Sequence, residues 1–320
     1  MSSADRNADG LNTARRPWPL SLGLSYRPDR RAASRAPRNA VVVGGAKRSR
    51  SARGVAAERA LLTSMVVLDD PFARGMLTPS MGAILWVVEH GPHRVRTRSV
   101  TLAGLGARVR WFDTQVAKAL HAGITQVAVI GAGYDSRAWR LRSGGVQFYE
   151  LDHAATQQDK MRRAPHPGPA YVESDLTTED AAKSLLDNGF DAARPALFVV
   201  EGVTMYLGEE DVRRQLQLLG RTGSIESRLA VDFLPPSNVG TSQDHRQLRL
   251  QRLARRGSGE SFRLALDRPQ AVELVQESGW EVDEVMSMRD AARRLVPRES
   301  GLPIDAVSEH KTLVAAVRMT

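Results

Sequence analysis

Apolar and polar positions change their rhythm along the chain. Up to about residue 50 there is no sustained period, and Arg, Ala, Ser, Pro and Asn dominate. Such a segment buries too little apolar surface to offset its ordering entropy, so residues 1–50 are expected to be a disordered basic extension. From Ser51 a helical period sets in, with Arg53, Ala56, Ala57, Ala60, Leu61 and Met65 in phase until Asp69-Asp70-Pro71 stops it. Between Arg108 and Gly123, the residues Val109, Phe112, Val116 and Leu120 recur at helical spacing, with Arg108 and Arg110 off that stripe and Gly123 as the stop. Short, continuously apolar runs then alternate with helical segments: 126–130, 146–151, 196–200 and 228–233. Runs apolar throughout suit strands buried on both faces, and strand–helix alternation suits a parallel sheet flanked by helices.

The punctuation between these runs agrees with that reading. Thr177 with Asp180 resembles a capping box, Val212, Leu216 and Leu219 form an apolar helix stripe, and Pro269 opens a helix that Gly279 closes. The runs 280–285 and 312–317 are expected to form an antiparallel pair at one sheet edge. The predicted fold class is therefore α/β: a doubly wound, Rossmann-like, mostly parallel sheet with an antiparallel edge, plus helical lid elements. Residues 51–122 would form an N-terminal helical cap and residues 234–268 a lid insertion. No internal repeat is present.

Charge changes this picture less than its sum suggests. The chain carries 45 Lys plus Arg against 36 Asp plus Glu, a formal charge of +9 and a pI near 10.4, which invites a nucleic-acid reading. Residues 1–53, however, hold 12 of the basic residues and only 3 acids, and the remainder carries 33 of each sign. The body is balanced. The absence of cysteine excludes a disulfide framework, a thiolate nucleophile and a Cys-based zinc site, and suits a cytoplasmic location. The apolar run 82–88 falls short of the roughly 18–20 residues a bilayer span needs. Arg15-Arg16 is followed by a short, proline-broken stretch unlike an export signal. His90 and His93 flank Pro92, which spoils helical metal-ligand geometry, and no metal site is expected.

Candidate chemistry gathers where strands end. The run Val127–Ile130 leads into Gly131-Ala-Gly133-Tyr-Asp135, a strand entering a glycine turn, where missing side chains let a ligand approach the backbone. Alone, that signal is weak. Nineteen residues after Gly133, Asp152 stands at the end of the next strand, where a carboxylate can accept from both hydroxyls of a ribose. Asp175 follows a further extended run and could accept from an adenine amino group while Leu176 covers the ring. Glu201 stands at the carboxyl end of a fourth strand, where open α/β sheets bind ligands.

Together these segments resemble the leucine carboxyl methyltransferase family, particularly a bacterial branch of S-adenosylmethionine (SAM)-dependent methyltransferases, some of which tailor polyketides. The resemblance spans about Ser51 to Thr320. It is carried by the segment 51–60, Asp69-Asp70-Pro71, the segment 107–113, GAGYDSRAWRL ending at Leu141, YELDHAATQQDK ending at Lys160, Asp175-Leu176, and Glu201-Gly-Val-Thr-Met-Tyr206-Leu. It implies a class I SAM-dependent methyltransferase in which Arg108 holds the SAM carboxylate and Gly131 and Gly133 line the amino-acid portion. Asp152 would bind the ribose, Asp175 and Leu176 would frame the adenine, and Glu201 would lie near the cationic methionine end. Arg53 and Arg59 would point toward the same pocket. The implied acceptor is a carboxylate or hydroxyl of a small molecule such as a polyketide or another secondary metabolite. A carboxylate acceptor needs no general base, whereas a hydroxyl does; Tyr206 and His153 are the catalytic candidates.

Two other readings stand beside this one. Gly131-Ala-Gly133 followed by an acid is also the pattern of a NAD-dependent oxidoreductase, although Ser136 occupies the third glycine position. The high pI suggests RNA binding or nucleic-acid methylation, against which the balanced body argues.

Overall fold

The computed structural model describes residues 50–240 and 262–318. The expected disordered extension, and the centre of the expected lid insertion, lie outside these residues. Among the described residues the strands are β1 (Gln126–Ile130), β2 (Gln147–Asp152), β3 (Ala170–Glu173), β4 (Ala196–Val200), β5 (Arg228–Phe233), β6 (Glu281–Ser287) and β7 (Thr312–Val317). They form one seven-stranded sheet in the order β3-β2-β1-β4-β5-β7-β6. The first five are parallel, and β7 lies antiparallel to both β5 and β6. The expected mostly parallel sheet with an antiparallel edge is thus observed. Because the chain winds outward from β1 through β2 to β3 and then returns to β4 on the other side of β1, a crevice opens at the carboxyl ends of β1 and β4.

Burial explains why the strands are apolar throughout. On β1, Val127 and Val129 face one core layer, and Ala128 and Ile130 the other; on β4, Leu197 and Val199 oppose Phe198 and Val200 in the same way. The first layer is covered by α1 (Arg50–Ser64), α4 (Val100–His121) and α10 (Met288–Leu295), and the second by α7 (Ala181–Asp187), α8 (Glu209–Thr222) and α9 (Arg268–Glu277). Each buried Val, Leu or Ile contributes roughly 1.5–3 kcal/mol, against about 1 kcal/mol for a helix cap. Apolar faces therefore position the helices and caps trim their ends. Asp267 and Gln270 form a capping box at α9, with Pro269 in its first turn, and Gly279 follows its end at φ +88°.

Several local expectations need correction. Helix α4 starts at Val100, where the Ser99 hydroxyl accepts from the Leu102 N–H at 3.2 Å. The cap of α7 is Asp180, which accepts from the amides of Ala182 and Lys183; Thr177 takes no part and binds Asp175 instead. The helix after the glycine turn, α5 (Arg137–Arg140), is a single turn. The apolar run 82–88 lies within α2 (Pro79–His90), which α3 (His93–Thr97) follows. The remaining helix, α6 (Ala154–Met161), connects β2 to β3. Among the described residues, no helix is long and apolar enough to cross a membrane.

Candidate functional site

At the carboxyl ends of β1, β2 and β4 lies a cavity of about 270 Å³. Arg108, Gly131, Gly133 and Glu201 line it, as do Asp152, Asp175 and Leu176, and both Tyr206 and His153 reach it. Arg59 also contributes to the wall, whereas Arg53 does not: it stands behind the wall, donating to Asp159 and to the hydroxyl of the lining residue Tyr134.

The backbone makes room first. Gly131 adopts φ +65°, and a Cβ there would stand 2.5 Å from Cγ2 of Val203, so any side chain would close the turn that β1 delivers. At the end of β4, Gly202 (φ +67°) lies against the Arg108 guanidinium, which a Cβ would meet at 3.3 Å.

At one end of the cavity, carboxylates are held by the backbone. Asp152 accepts from the Gly133 N–H at 2.6 Å and from the His153 N–H at 2.7 Å. Burial nevertheless raises its pKa, outweighing both bonds. Burial opposes ionisation of Asp175 too, but the Thr177 hydroxyl and amide, at 2.7 and 3.0 Å, hold its pKa below the usual range. His153 interacts electrostatically with both acids and so belongs to this end. Beside them, the Ser174 hydroxyl is buried without a hydrogen-bond partner among the described residues.

At the other end, side chains hold one another. Glu201 accepts from Arg108 Nε at 3.0 Å with one oxygen and pairs with Arg137 Nη2 at 2.7 Å with the other. Arg137, with only 1% of its surface exposed, also pairs with Asp135 and with Asp113, at 2.7 Å to the latter. Arg140 grips Asp113 with two further bonds of 2.8 and 2.9 Å. Behind this lattice, Arg59 and the Ser136 hydroxyl share Asp70. Arg108 lies off the solvated face of α4: burial opposes its charge, but Glu201, and Asp232 at 3.9 Å, outweigh burial and raise its pKa. Tyr206 stands close enough to add to that effect and packs on Phe262, with ring centroids 5.7 Å apart.

The residues fit a molecule with an adenosine end and a charged amino-acid end. An orphaned hydroxyl and backbone-held acceptors line the first, a guanidinium the second, and a glycine turn joins them. The sequence model of the leucine carboxyl methyltransferase family matches residues 52–220. The chain belongs to that family.

Relatives in it share most of the chain. A protein of Mycobacterium avium, provisionally named an S-adenosyl-L-methionine-dependent methyltransferase, is 30% identical over 280 residues, covering 80% of this chain and 87% of its own. One of Mycolicibacterium smegmatis with the same name is 29% identical over 273 residues, covering 76% and 84%. The fold resembles that of a provisionally named methyltransferase of Thermobifida fusca, with a TM-score of 0.50 and 17% identity, covering 85% of this chain and 96% of that one. The protein is a SAM-dependent methyltransferase with SAM as its cofactor, and the NAD-dependent oxidoreductase reading falls away.

Several residues that line or back the cavity do not stand out in the sequence. Asp232 is buried near the end of β5, accepts from the Gly202 N–H at 2.6 Å, and has its pKa raised by burial. Its signal was present, since a carboxylate inside a strand buried on both faces requires a partner. Asp113, Asp135, Arg137 and Arg140 lie within the family motifs, where none of them stands out individually. So many charges so close together are costly unless paired, and that density was their signal.

Proposed function

We propose that the enzyme is an O-methyltransferase acting on a carboxylate or hydroxyl of a small molecule. The observation that carries the reading is the polarity of the cavity: Arg108 at one end, backbone-held acids at the other, and the glycine turn between. Arg108 would hold the cofactor carboxylate as a fork-shaped donor that stays charged. Gly131 and Gly133 would let the amino-acid portion approach the backbone. Asp152 would accept from the ribose, and Asp175 and Leu176 would frame the adenine, with Ser174 offering its free hydroxyl nearby. Both oxygens of Glu201 hold arginines, which supports a role in aiming Arg108 rather than in taking a proton.

SAM supplies a methyl group already activated by its sulfonium for in-line displacement. The chain's own task is then to align the acceptor and exclude water. An ionised carboxylate acceptor needs no base. For a hydroxyl acceptor, Tyr206 at the arginine end is better placed than His153, which lies among the adenosine-end acids. The cavity is of small-molecule size, and the balanced charge after residue 53 argues against a nucleic-acid acceptor.

The test is calorimetric titration of SAM and, separately, NAD, followed by transfer of labelled methyl from SAM to panels of carboxylic acids, phenols and RNA. Saturable SAM binding without NAD binding is expected, with label on an acid or phenol; release of the label as methanol in base would identify an ester. Label on RNA or on nitrogen would overturn the reading.

A further inference from the structure

Helix α2 carries apolar residues on both sides. Leu85 is buried beneath it, while Ile84, Trp86 and Val87 on the other side are 65%, 57% and 62% exposed. At about 100° per residue, Trp86, His90, Ala83, Val87, Ser80 and Ile84 follow one another around a single solvent-facing arc, and the bar to hydration is contiguous rather than scattered. Val95 on α3 extends it, 67% exposed. The Trp86 indole stacks on the His90 ring, with centroids 4.3 Å apart. The rim is cationic: Arg94 and Arg98 are exposed, and no acid occurs between Glu89 and Asp113. No residue of α2 or α3 lines the cavity at the strand ends, so this face serves something other than the methyl acceptor pocket.

We propose that α2 and α3 dock the enzyme onto the surface of an anionic phospholipid bilayer. A helix that lies in a membrane interface needs an apolar arc to enter the acyl boundary, cations beside it to meet the headgroups, and preferably tryptophan at the level between them. All three occur here within residues 79–98. A second copy docked through the same face would bring both sets of arginines together, and Glu89, the one carboxylate within residues 79–98, is already paired with Arg74. The chain's own first 53 residues, with 12 basic side chains against 3 acids, have the wrong sign for this rim. An anionic surface satisfies both the arc and the rim.

The experiment is co-sedimentation of the full-length protein with vesicles of phosphatidylcholine alone, and of an equal mixture of phosphatidylcholine and phosphatidylglycerol. The mixed vesicles should bind, and binding should fall about tenfold or more in the double variant Ile84→Asn/Val87→Asn, which keeps every charge, and again in Arg94→Glu/Arg98→Glu. SAM affinity should be unchanged in both variants, which shows that they fold. Retained binding in the Ile84→Asn/Val87→Asn protein would overturn the proposal, since attachment would then rest on charge elsewhere. Failure of the unaltered protein to bind would do the same, as would a dimer in sedimentation equilibrium that these substitutions dissolve. None of these outcomes depends on the acceptor.

Discussion

The two ends of the cavity are built on opposite principles. At the end proposed to hold the adenosine, Asp152 and Asp175 are fixed by amides and a hydroxyl one, two or nineteen residues away. At the arginine end, Arg108, Glu201, Arg137, Asp113 and Asp135 fix each other, with partners as far as 93 residues apart. The first arrangement needs no partner charge, because strand ends and turns present N–H groups in any case. The second removes several charges from water and is stable only if every partner is present. The arginine end should therefore fail as a unit, taking the fold with it, while the adenosine end should fail locally, in affinity alone.

The strongest challenge to that contrast is Arg137→Met, which leaves Glu201, Asp113 and Asp135 without a shared cation. We expect a loss of about 3–5 kcal/mol in urea unfolding; a loss under about 1 kcal/mol would mean that the lattice is not the structural unit described. Asp152→Ala should instead lower SAM affinity by 10- to 100-fold, the equivalent of about 1.5–3 kcal/mol for charged hydrogen bonds, with the unfolding midpoint nearly unchanged. Arg108→Lys keeps the charge and loses the fork, so calorimetry should show affinity about tenfold weaker, with stability retained because Arg137 still holds Glu201.

The smallest effect concerns pH. Beneath the adenosine end, Glu150 is buried against Lys160, and desolvation pushes its pKa up to about 7 from the ordinary 4.5. Ionisation then costs the folded state more than the unfolded chain. Its contribution to stability is full below pH 4.5 and is lost as pH rises through about 7. Asp70, Asp113 and Asp135 run the other way: burial opposes their ionisation, the neighbouring guanidiniums outweigh it, and their lowered pKa values make the stability they provide disappear as acid protonates them. Comparing Glu150→Gln with the unaltered protein between pH 4.5 and 7 should remove the first slope and leave the acid-side loss intact. Parallel curves across that window would show that Glu150 does not titrate there.

The same contrast explains which features are legible in the sequence. The runs 126–130, 196–200, 228–233 and 312–317 coincide with strands in full, and 146–151 and 280–285 to within one or two residues, because apolar runs bounded by turns admit few other readings. The cavity-lining positions Gly131, Gly133, Asp152, Asp175 and Glu201 followed, since each stands at or shortly after the end of such a run and the winding order brings those ends together. The lattice was not legible. Nothing in the spacing of Arg137 and Glu201 shows that they meet, and in GAGYDSRAWRL the charges resemble those of a solvated helix. Arg108 was set off the apolar stripe for the same reason, although the face it occupies looks into the cavity. Helix α2 escaped assignment because an apolar run of that length, without alternation or a polar face, suits a buried strand as well as a helix.

The order in which the strands are made has a consequence for synthesis. Among the described residues, strand β6 pairs with β7 alone, yet it precedes β7 in the chain, so a growing polypeptide carries that strand without this partner until residues 312–317 exist. An unpaired edge recruits neighbouring chains on a crowded polysome. The sequence of β6, EVDEVMS, places Glu281, Asp283 and Glu284 along that edge, and their mutual repulsion between nascent copies would keep the interval before closure free of aggregation.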